Sequence, residues 1–402
     1  MANLATHRNI TAALLLVPLA FCAQGCGGGG GGGGGVAAPP PSQPPELSTE
    51  IVYERNRDPV TAQIEPVLSE SAAGFDGTEV DSPAVAIDSG RPNGDKFLLF
   101  YEATSGGGVS TIGVVSSDEE DFATLTIPRT QAIALGGPAS GFNVGATDPT
   151  VVVDKSVPFG VTGRYHMWFE GRSGAGGLTS QIIHATSGNG ETWGNFQICL
   201  GFNASFGSVR VADPSAVLDG TTFKMWFEAI DVTAAGGGDG PASIGYAESS
   251  DGFTWLIRDA HGQSGGAASP VFLHGPAQQF DGYSVGSPSV VLDPTIGVGA
   301  NGRFKMWYEA GDREIATQNS MGYAMSADGI VWNDPTLPIF LPSSDSIVPL
   351  PFDSGDIEHP CAAIIETVPA ATVGHFLLWY TGDGENGASP NRIGLARGRN
   401  GP

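Results

Sequence analysis

Five prolines in the chain are each preceded by a polar residue that could work on a ligand. Ser82, Asp148, Asp213, Ser287 and His359 stand directly before Pro83, Pro149, Pro214, Pro288 and Pro360. One position earlier stand Asp81, Thr147, Ala212, Gly286 and Glu358. Asp81, Asp148, Asp213, Glu358 and His359 together hold the groups that acid–base cleavage of a glycosidic bond requires. That reaction needs one carboxylic acid to protonate the leaving oxygen and one carboxylate to activate water or attack carbon. Like charges crowded into a partly dry mouth would push one carboxyl upward and keep it protonated. These residues are far apart in the chain, so their chemistry depends on a fold that returns to one place five times.

The sequence repeats in that way. First strands read "DSPAVAID", "TDPTVVVD", "ADPSAVLD", "GSPSVVLD" and "EHPCAAII", starting at Asp81, Thr147, Ala212, Gly286 and Glu358. Each has a proline at its start, where no ladder hydrogen bond is needed, and then an apolar run without alternation, as expected of a strand buried on both faces. Second strands read "KFLLFYEA", "RYHMWFEG", "TFKMWFEA", "RFKMWYEA" and "HFLLWYTG", aromatic-rich as half-buried strands are. A Gly-rich loop, a third strand and, in three copies, a tight turn before tryptophan follow; Asp251-Gly252 and Asp328-Gly329 are hairpin signals. A fourth strand ends each unit, near Val271 and Ile339 for example.

Four antiparallel strands repeated at roughly 65–75 residues describe a β-propeller blade. The fifth unit stops after its third strand. The segment "AQIEPVLSESAAGFDGTEV" from Ala62 resembles "ASPVFLHGPAQQFDGYSV", which closes a complete unit, so the N-terminal part supplies the missing outer strand and closes the ring. The expected fold is all-β, a five-bladed β-propeller over 50–402. In that fold the first strand of each blade lines the central channel, and the residues before the five prolines meet at one mouth. The scaffold positions repeat because every blade needs them. The mouth positions vary because each faces a ligand from a different side.

The strand openings with Asp-Pro or Glu-x-Pro, and the phrases "KMWFEA" with "IGYAESSDGFTW" and "KMWYEA" with "GYAMSADGIVW", resemble the five-bladed glycoside hydrolase superfamily. That group holds the arabinanases and xylosidases of family 43, the invertases and levansucrases, and the family 130 mannoside phosphorylases. In family 43 the base is the Asp of an Asp-Pro opening the first blade, a second Asp in the next blade tunes it, and the acid is a Glu two before a proline in the third. Asp148 and Asp213 match the Asp-Pro form, and Glu358 in "IEHP" matches the Glu-x-Pro form. The blade order departs: the first blade offers Asp81-Ser82-Pro83, with its carboxylate displaced by one residue, and the third has Asp213 where the family has its acid. The resemblance implies Glu358 as acid and Asp213 as base, with one blade skipped between them as in the family, Asp148 or Asp81 tuning them and His359, Ser82 and Ser287 contacting substrate. His359 is also read as a histidine hydrogen-bonded inside a packed channel. The sequence specifies no metal or cofactor; calcium is left open, because some arabinanases have a histidine near a metal in the channel.

Other repeated residues read as structure. Glu102, Glu170, Glu228 and Glu309 end second strands, with Thr381 in the fifth place, and are expected to cap loop amides of a neighbouring blade. Trp168, Trp226, Trp255, Trp307, Trp332 and Trp379 are expected in inter-blade packing, and Phe75-Asp76, Phe280-Asp281 and Phe352-Asp353 as a repeated loop staple. Asp148 and Asp213 can also simply accept loop hydrogen bonds.

The 402 residues carry a formal net charge of −24, which argues against nucleic acid, whose phosphates need a basic face. Arg8 precedes the apolar run "ITAALLLVPLAF", the size of a signal-peptide core and too short to span a bilayer. "LAFCAQGC" resembles a bacterial lipoprotein signal, with Cys26 the lipidated residue after small Gly25; Ala23 sits where that signal has leucine, so simple secretion is the alternative. The expected division is a signal peptide over 1–25, a Gly/Pro-rich tether over 26–49 and the propeller beyond. Cys199 and Cys361, at different strand positions, are expected to be unpaired. The expected function is that of a secreted or cell-surface, lipid-anchored glycoside hydrolase acting on an extracellular oligo- or polysaccharide through channel-mouth carboxylates. The alternative is a non-catalytic carbohydrate- or protein-binding propeller.

Overall fold

The computed structural model describes residues 48, 51–136, 140–173, 179–201, 209–231, 241–260, 269–311, 318–333, 335–344, 350–365, 376–384 and 390–400. The expected signal peptide and Cys26, and all of the tether except Ser48, lie outside them.

Among the described residues the repeats fold as nineteen strands. After β1 (Ile51–Arg55), blade 1 contains β2 (Glu79–Ile87), β3 (Phe97–Thr104), β4 (Ser110–Ser117) and β5 (Ile127–Ile133). Blade 2 contains β6 (Gly145–Val153), β7 (Tyr165–Ser173), β8 (Thr179–Ser187) and β9 (Trp193–Leu200). Blade 3 contains β10 (Val209–Asp219), β11 (Thr222–Asp231), β12 (Ala242–Ser249) and β13 (Leu256–Arg258). Blade 4 contains β14 (Ser284–Leu292), β15 (Phe304–Gly311) and β16 (Ser320–Ser326), and blade 5 contains β17 (Asp356–Ile364), β18 (Phe376–Asp383) and β19 (Arg392–Asn400). Every ladder is antiparallel, and the inner strands β2, β6, β10, β14 and β17 neighbour one another around a closed ring. This is the expected five-bladed propeller. Among the described residues blade 4 has three ladder strands, with bridges from Phe340 to Met321 and from Trp332 to Ser326 at its outer place.

The ring closes through the N-terminal part in two ways. β1 pairs with β19 from Ile51↔Asn400 to Arg55↔Ala396, making the outer strand of blade 5. The regular strand therefore lies upstream of the segment whose sequence matched a blade ending. That segment makes a shorter clamp: Val67 and Leu68 donate to the Ile393 carbonyl, and Ile393 donates back to Leu68. Val271 and Phe272 hold Ile244 in the same way, and Ile339 and Phe340 hold Met321. The matching sequences therefore encode a two-residue clamp, while β1 covers the exposed edge.

Each inner strand is broken by a bulge at its proline. Register shifts fall between Asp81 and Ala84, Thr147 and Thr150, Ala212 and Ser215, Gly286 and Ser289, and Glu358 and Cys361. The proline is thus mid-strand rather than at a strand start, and is tolerated because the bulge takes it out of the ladder. The residue before it adopts a left-handed backbone in every blade: φ is +46° at Ser82, +50° at Asp148, +45° at Asp213, +42° at Ser287 and +46° at His359. Such a conformation costs a non-glycine residue on the order of 1–3 kcal/mol, so the surroundings must enforce it five times.

The apolar core divides into five large clusters, one at each seam between blades. Trp168, Trp226, Trp307 and Trp379 are fully buried, as packing residues. Their indoles also tie blades together: Trp168 Nε1 donates to the Gly252 carbonyl at 3.0 Å and Trp226 Nε1 to the Gly329 carbonyl at 2.7 Å, each in the turn of the next blade. A Cβ on Gly329 would come within 2.6 Å of Trp226, so glycine is required there. The Phe-Asp pairs are the expected staples. Phe75, Phe280 and Phe352 lie over Tyr101, Tyr308 and Tyr380, whose hydroxyls donate to Asp76, Asp281 and Asp353. Cys199 and Cys361 are unpaired.

A further set of bonds runs around the axis. In four blades the side chain directly after the bulge proline accepts an amide from the next blade: Thr150 from Ala216 at 3.3 Å, Ser215 from Val290 at 2.9 Å, Ser289 from Ala362 at 2.9 Å and Cys361 from Val85 at 3.2 Å. In blade 1 that place belongs to Ala84, which has no acceptor to offer Val151. A buried amide left without its partner costs about 1–3 kcal/mol. Replacing Ser289 with alanine is therefore expected to lower unfolding free energy by about 1–3 kcal/mol, and Ala84→Ser to raise it by up to about 1 kcal/mol. Denaturant midpoints of the two variants check both.

Candidate active site at the channel mouth

The bulges aim five side chains at the axis. Ser82, Asp148, Asp213, Ser287 and His359 line, with their prolines, a cavity of about 30 Å³. That is space for a water or two, since a buried water needs about 10–15 Å³ by the same measure. Below the prolines the channel continues as a polar cavity of about 100 Å³ lined by the inner strands. The structure thus brings together all five residues that precede the prolines.

Within the ring the groups are tightly paired. Ser82 Oγ donates to Asp148 Oδ1 at 2.7 Å, and Ser287 Oγ lies 2.9 Å from Asp213 Oδ2 and 3.2 Å from Glu309 Oε2. His359 stands between two acids, with Nδ1 3.0 Å from Asp81 Oδ1 and Nε2 3.8 Å from Asp148 Oδ1. The Nδ1 contact is close in distance but poorly aligned, an attraction of charges more than a directed hydrogen bond. Burial alone would favour neutral His359, but the charges of Asp81, Asp148 and Asp213 outweigh it and raise the imidazole well above its ordinary value.

Asp81 and Glu358 are tuned in opposite directions. Burial would lift the Asp81 carboxyl, yet the His359 charge and donors from Thr381 and Asn391 hold it far below the ordinary carboxylate range. Its oxygens receive the Ser82 amide at 2.6 Å, Thr381 Oγ1 at 2.6 Å and Asn391 Nδ2 at 2.8 Å. A carboxylate so fully engaged is a poor base and serves as a fixed charge. Glu358 is raised well above the ordinary range, first by burial and then by the charge of Glu309, with Asp81 and Asp356 adding to it. One amide, Asn319 Nδ2, lies 3.0 Å from Glu358 Oε1 and 3.1 Å from Glu309 Oε1. Burial and the charge of Asp148 likewise push Glu102 up to about 8. The Arg172 guanidinium is occupied by Glu170 at 3.0 Å, with Asp148 at 3.6 Å.

The expected cap across blades is seen for one second-strand glutamate, Glu228, and for Thr381 in the fifth place. Glu228 Oε2 accepts the Ser287 amide at 3.0 Å, and Thr381 Oγ1 accepts that of Ser82 at 3.1 Å. The cap explains one of the varying positions: a Cβ on Gly286 would lie 2.1 Å from Glu228 Oε2. The caps also help hold the left-handed residues in place. Sequence reasoning did not find Asn319, Thr381 and Asn391 as site residues; only the repeat position of Thr381 hinted at a role.

Asp148, Asp213 and His359 each offer a ligand atom within 4.8 Å of the others. Calcium takes six to eight oxygens. Here the third group is an imidazole, already held as a cation between carboxylates, and both serine hydroxyls are turned to the aspartates. The set does not fit calcium, and the imidazolium itself supplies the positive charge that two carboxylates require.

The propeller is similar to solved structures with different chemistries. One belongs to the GH130 family of mannoside phosphorylases, which contains glycoside hydrolases that target beta-1,2 mannosidic linkages in Candida mannan; it is 14% identical, with 85% of this chain and 93% of that chain covered and a TM-score of 0.56. A second is an N-acetylgalactosamine deacetylase from F. plautii in complex with blood group B trisaccharide, at 13% identity, 83% and 96% coverage and a TM-score of 0.55. A third is an alpha-L-arabinofuranosidase from Podospora anserina in complex with cellotriose, at 12% identity, 84% and 96% coverage and a TM-score of 0.53. At these identities the likeness is one of fold. No protein-family model and no curated protein matches the sequence.

The Asp81–His359 pair makes a pH prediction. Asp81 is depressed on folding, so its contribution is present above about pH 3.9 and lost as pH falls. His359 is raised, so its contribution is full below about pH 6.5 and lost as pH rises through its folded value. The stability gap between the wild type and Asp81→Asn is therefore expected to be widest between about pH 4 and 6.5. NMR titration should find His359 charged at pH 7 in the wild type and shifted downward in Asp81→Asn.

Proposed function

We propose that this protein is a glycoside hydrolase. The observation that carries this reading is the meeting, on adjoining inner-strand bulges, of a carboxyl raised toward the protonated form, Glu358, a carboxylate held ionised, Asp81, and the axial carboxylates Asp148 and Asp213. Glu358 is the proton donor to the leaving oxygen. Asp213 is the base: it borders the water-sized axial cavity and lies two blades away from Glu358 around the ring. It takes a proton from water, whose oxygen attacks the anomeric carbon while Glu358 protonates the departing oxygen. Separating acid and base by an intervening blade leaves room for that water and suits inversion. Asp81 and Asp148 tune the site through His359, and Ser82 and Ser287 orient the aspartates. The carbohydrate complexes of two fold neighbours support a sugar ligand at this fold.

One observation favours the rival reading of a sugar-binding propeller without turnover: Asp213 is only 5% exposed and reaches the mouth through a cavity too small for a sugar ring. Incubating the purified protein with arabino-, xylo-, fructo- and manno-oligosaccharides separates the two. Hydrolysis is expected, with Glu358→Gln and Asp213→Asn each lowering kcat by about 10²–10⁴-fold. The wild-type rate should fall on the alkaline side as Glu358 loses its proton. Turnover undiminished in both variants rejects the assignment, and binding without turnover by the wild type supports the rival.

The substrate is read as extracellular on the strength of the N-terminal signal. Cys26 is the proposed lipid attachment site, and Cys26→Ser is expected to move the protein from the membrane to the soluble fraction.

A further inference from the structure

Among the buried titratable groups that the mechanism does not use is a pair of histidines. His166 on β7 and His184 on β8 stack with ring centroids 5.2 Å apart at the seam of blades 2 and 3, and His166 Nδ1 lies 3.0 Å from His184 Nε2. His184 is fully buried, against Trp168 at 4.8 Å in its own blade and Phe253 at 4.3 Å in the next. His166 packs 4.9 Å from Phe223 of blade 3. The turn of blade 3 closes over both: a Cβ on Gly252 would be 3.5 Å from His184 Nε2 and 3.6 Å from His166 Nδ1.

The bond between the rings needs one donor and one acceptor; with His184 Nε2 as the donor, His166 Nδ1 accepts. His184 Nε2 then carries its proton, and His184 Nδ1 is a bare acceptor with no partner among the described residues. A second proton on His184 would have to sit on that buried nitrogen, facing aromatic rings. The facing ionisable groups are Asp154, after β6, and Asp251, in the blade 3 turn. Lys224, next to Phe223, turns away to Asp219.

The fold does not require histidine here. The ladder position of His184 opposite Trp168 is held by Tyr246 opposite Trp226 and by Tyr323 opposite Trp307. Blades 1 and 5 have Val114 and Leu395 there. We propose that the His166–His184 pair is an acid-sensitive latch: neutral, it closes the seam between blades 2 and 3, and protonation opens it. Because Asp148 and Asp213 stand on β6 and β10, the two inner strands of that seam, opening it separates two of the five mouth residues.

The sign follows from burial. His184 is depressed to about 3 in the folded state, by burial first and the neighbouring His166 second, while in the unfolded chain it titrates near its ordinary value of about 6.5. Stability is therefore lost as pH falls below about 6.5, with the folding constant dropping roughly tenfold per pH unit for each proton excluded.

The test compares the full chain with His184→Tyr, which installs the residue of blades 3 and 4. Below pH 6.5 the wild type is expected to lose its folding constant relative to the variant by about tenfold per pH unit, down to about pH 4. Parallel pH dependence in the two overturns the latch. Should the variant not fold, NMR titration of the wild-type imidazoles decides: a His184 ring neutral at pH 5 supports the proposal, and a His184 ring titrating near 6.5 overturns it. Amide exchange in acid should rise first in β7, β8 and β11, and a rise confined to other blades also overturns it.

Discussion

Five sheets meeting around an axis have a problem at their inner edges. The amides of each innermost strand that point toward the channel have no further strand to pair with, and an unpaired buried amide is expensive. This molecule solves it with a ring of side chains directly after the bulge prolines, where Thr150, Ser215, Ser289 and Cys361 each take an amide from the next blade. The bulges that carry those side chains outward to a neighbour also tip the preceding residue toward the axis. Packing and chemistry therefore share a single device: one residue holds the ring together, and the residue before its proline faces the mouth.

That arrangement accounts for the strain. Nine described non-glycine residues sit in the left-handed region, and all five mouth residues are among them. Backbone energy of this kind persists only where the surroundings over-determine it. Glu228 and Thr381 supply part of the enforcement by accepting the amides of Ser287 and Ser82 from the neighbouring blade. The mouth is thus built by cross-blade contacts, which is why its acids can be tuned in opposite directions over short distances. Asp81 is surrounded by donors, and Glu358 by carboxylates and one shared amide.

Much of the fold was legible in the sequence because it is written five times. Proline positions, the Trp-bearing second strands and the Phe-Asp staples each repeat, and repetition separates scaffold from decoration. The mouth residues were legible for the opposite reason, as varying positions beside an invariant one. The bulge was not: a proline followed by an apolar run reads as a strand beginning, and nothing local says that the strand has already run through Asp81 or Thr147. Nor could the sequence nominate Asn391 or Asn319. Asn391 reaches Asp81 across 310 residues, and Asn319 joins Glu309 to Glu358 across two blades, so both depend on ring geometry that no spacing encodes. The clamp at Leu68 was recognised by likeness to other blade endings, whereas β1, which has no such likeness, was not.

The pairing of β1 with β19 has a consequence for biosynthesis. The first strand of the ring waits for a partner from the far end of the domain, since Ile51 and Asn400 sit side by side in one ladder. Blades can collapse one after another as the chain leaves the ribosome, but the final seam forms only once β19 has emerged. Chains released early would display an uncapped sheet margin, and so carry their own mark of incompleteness for proteases and chaperones.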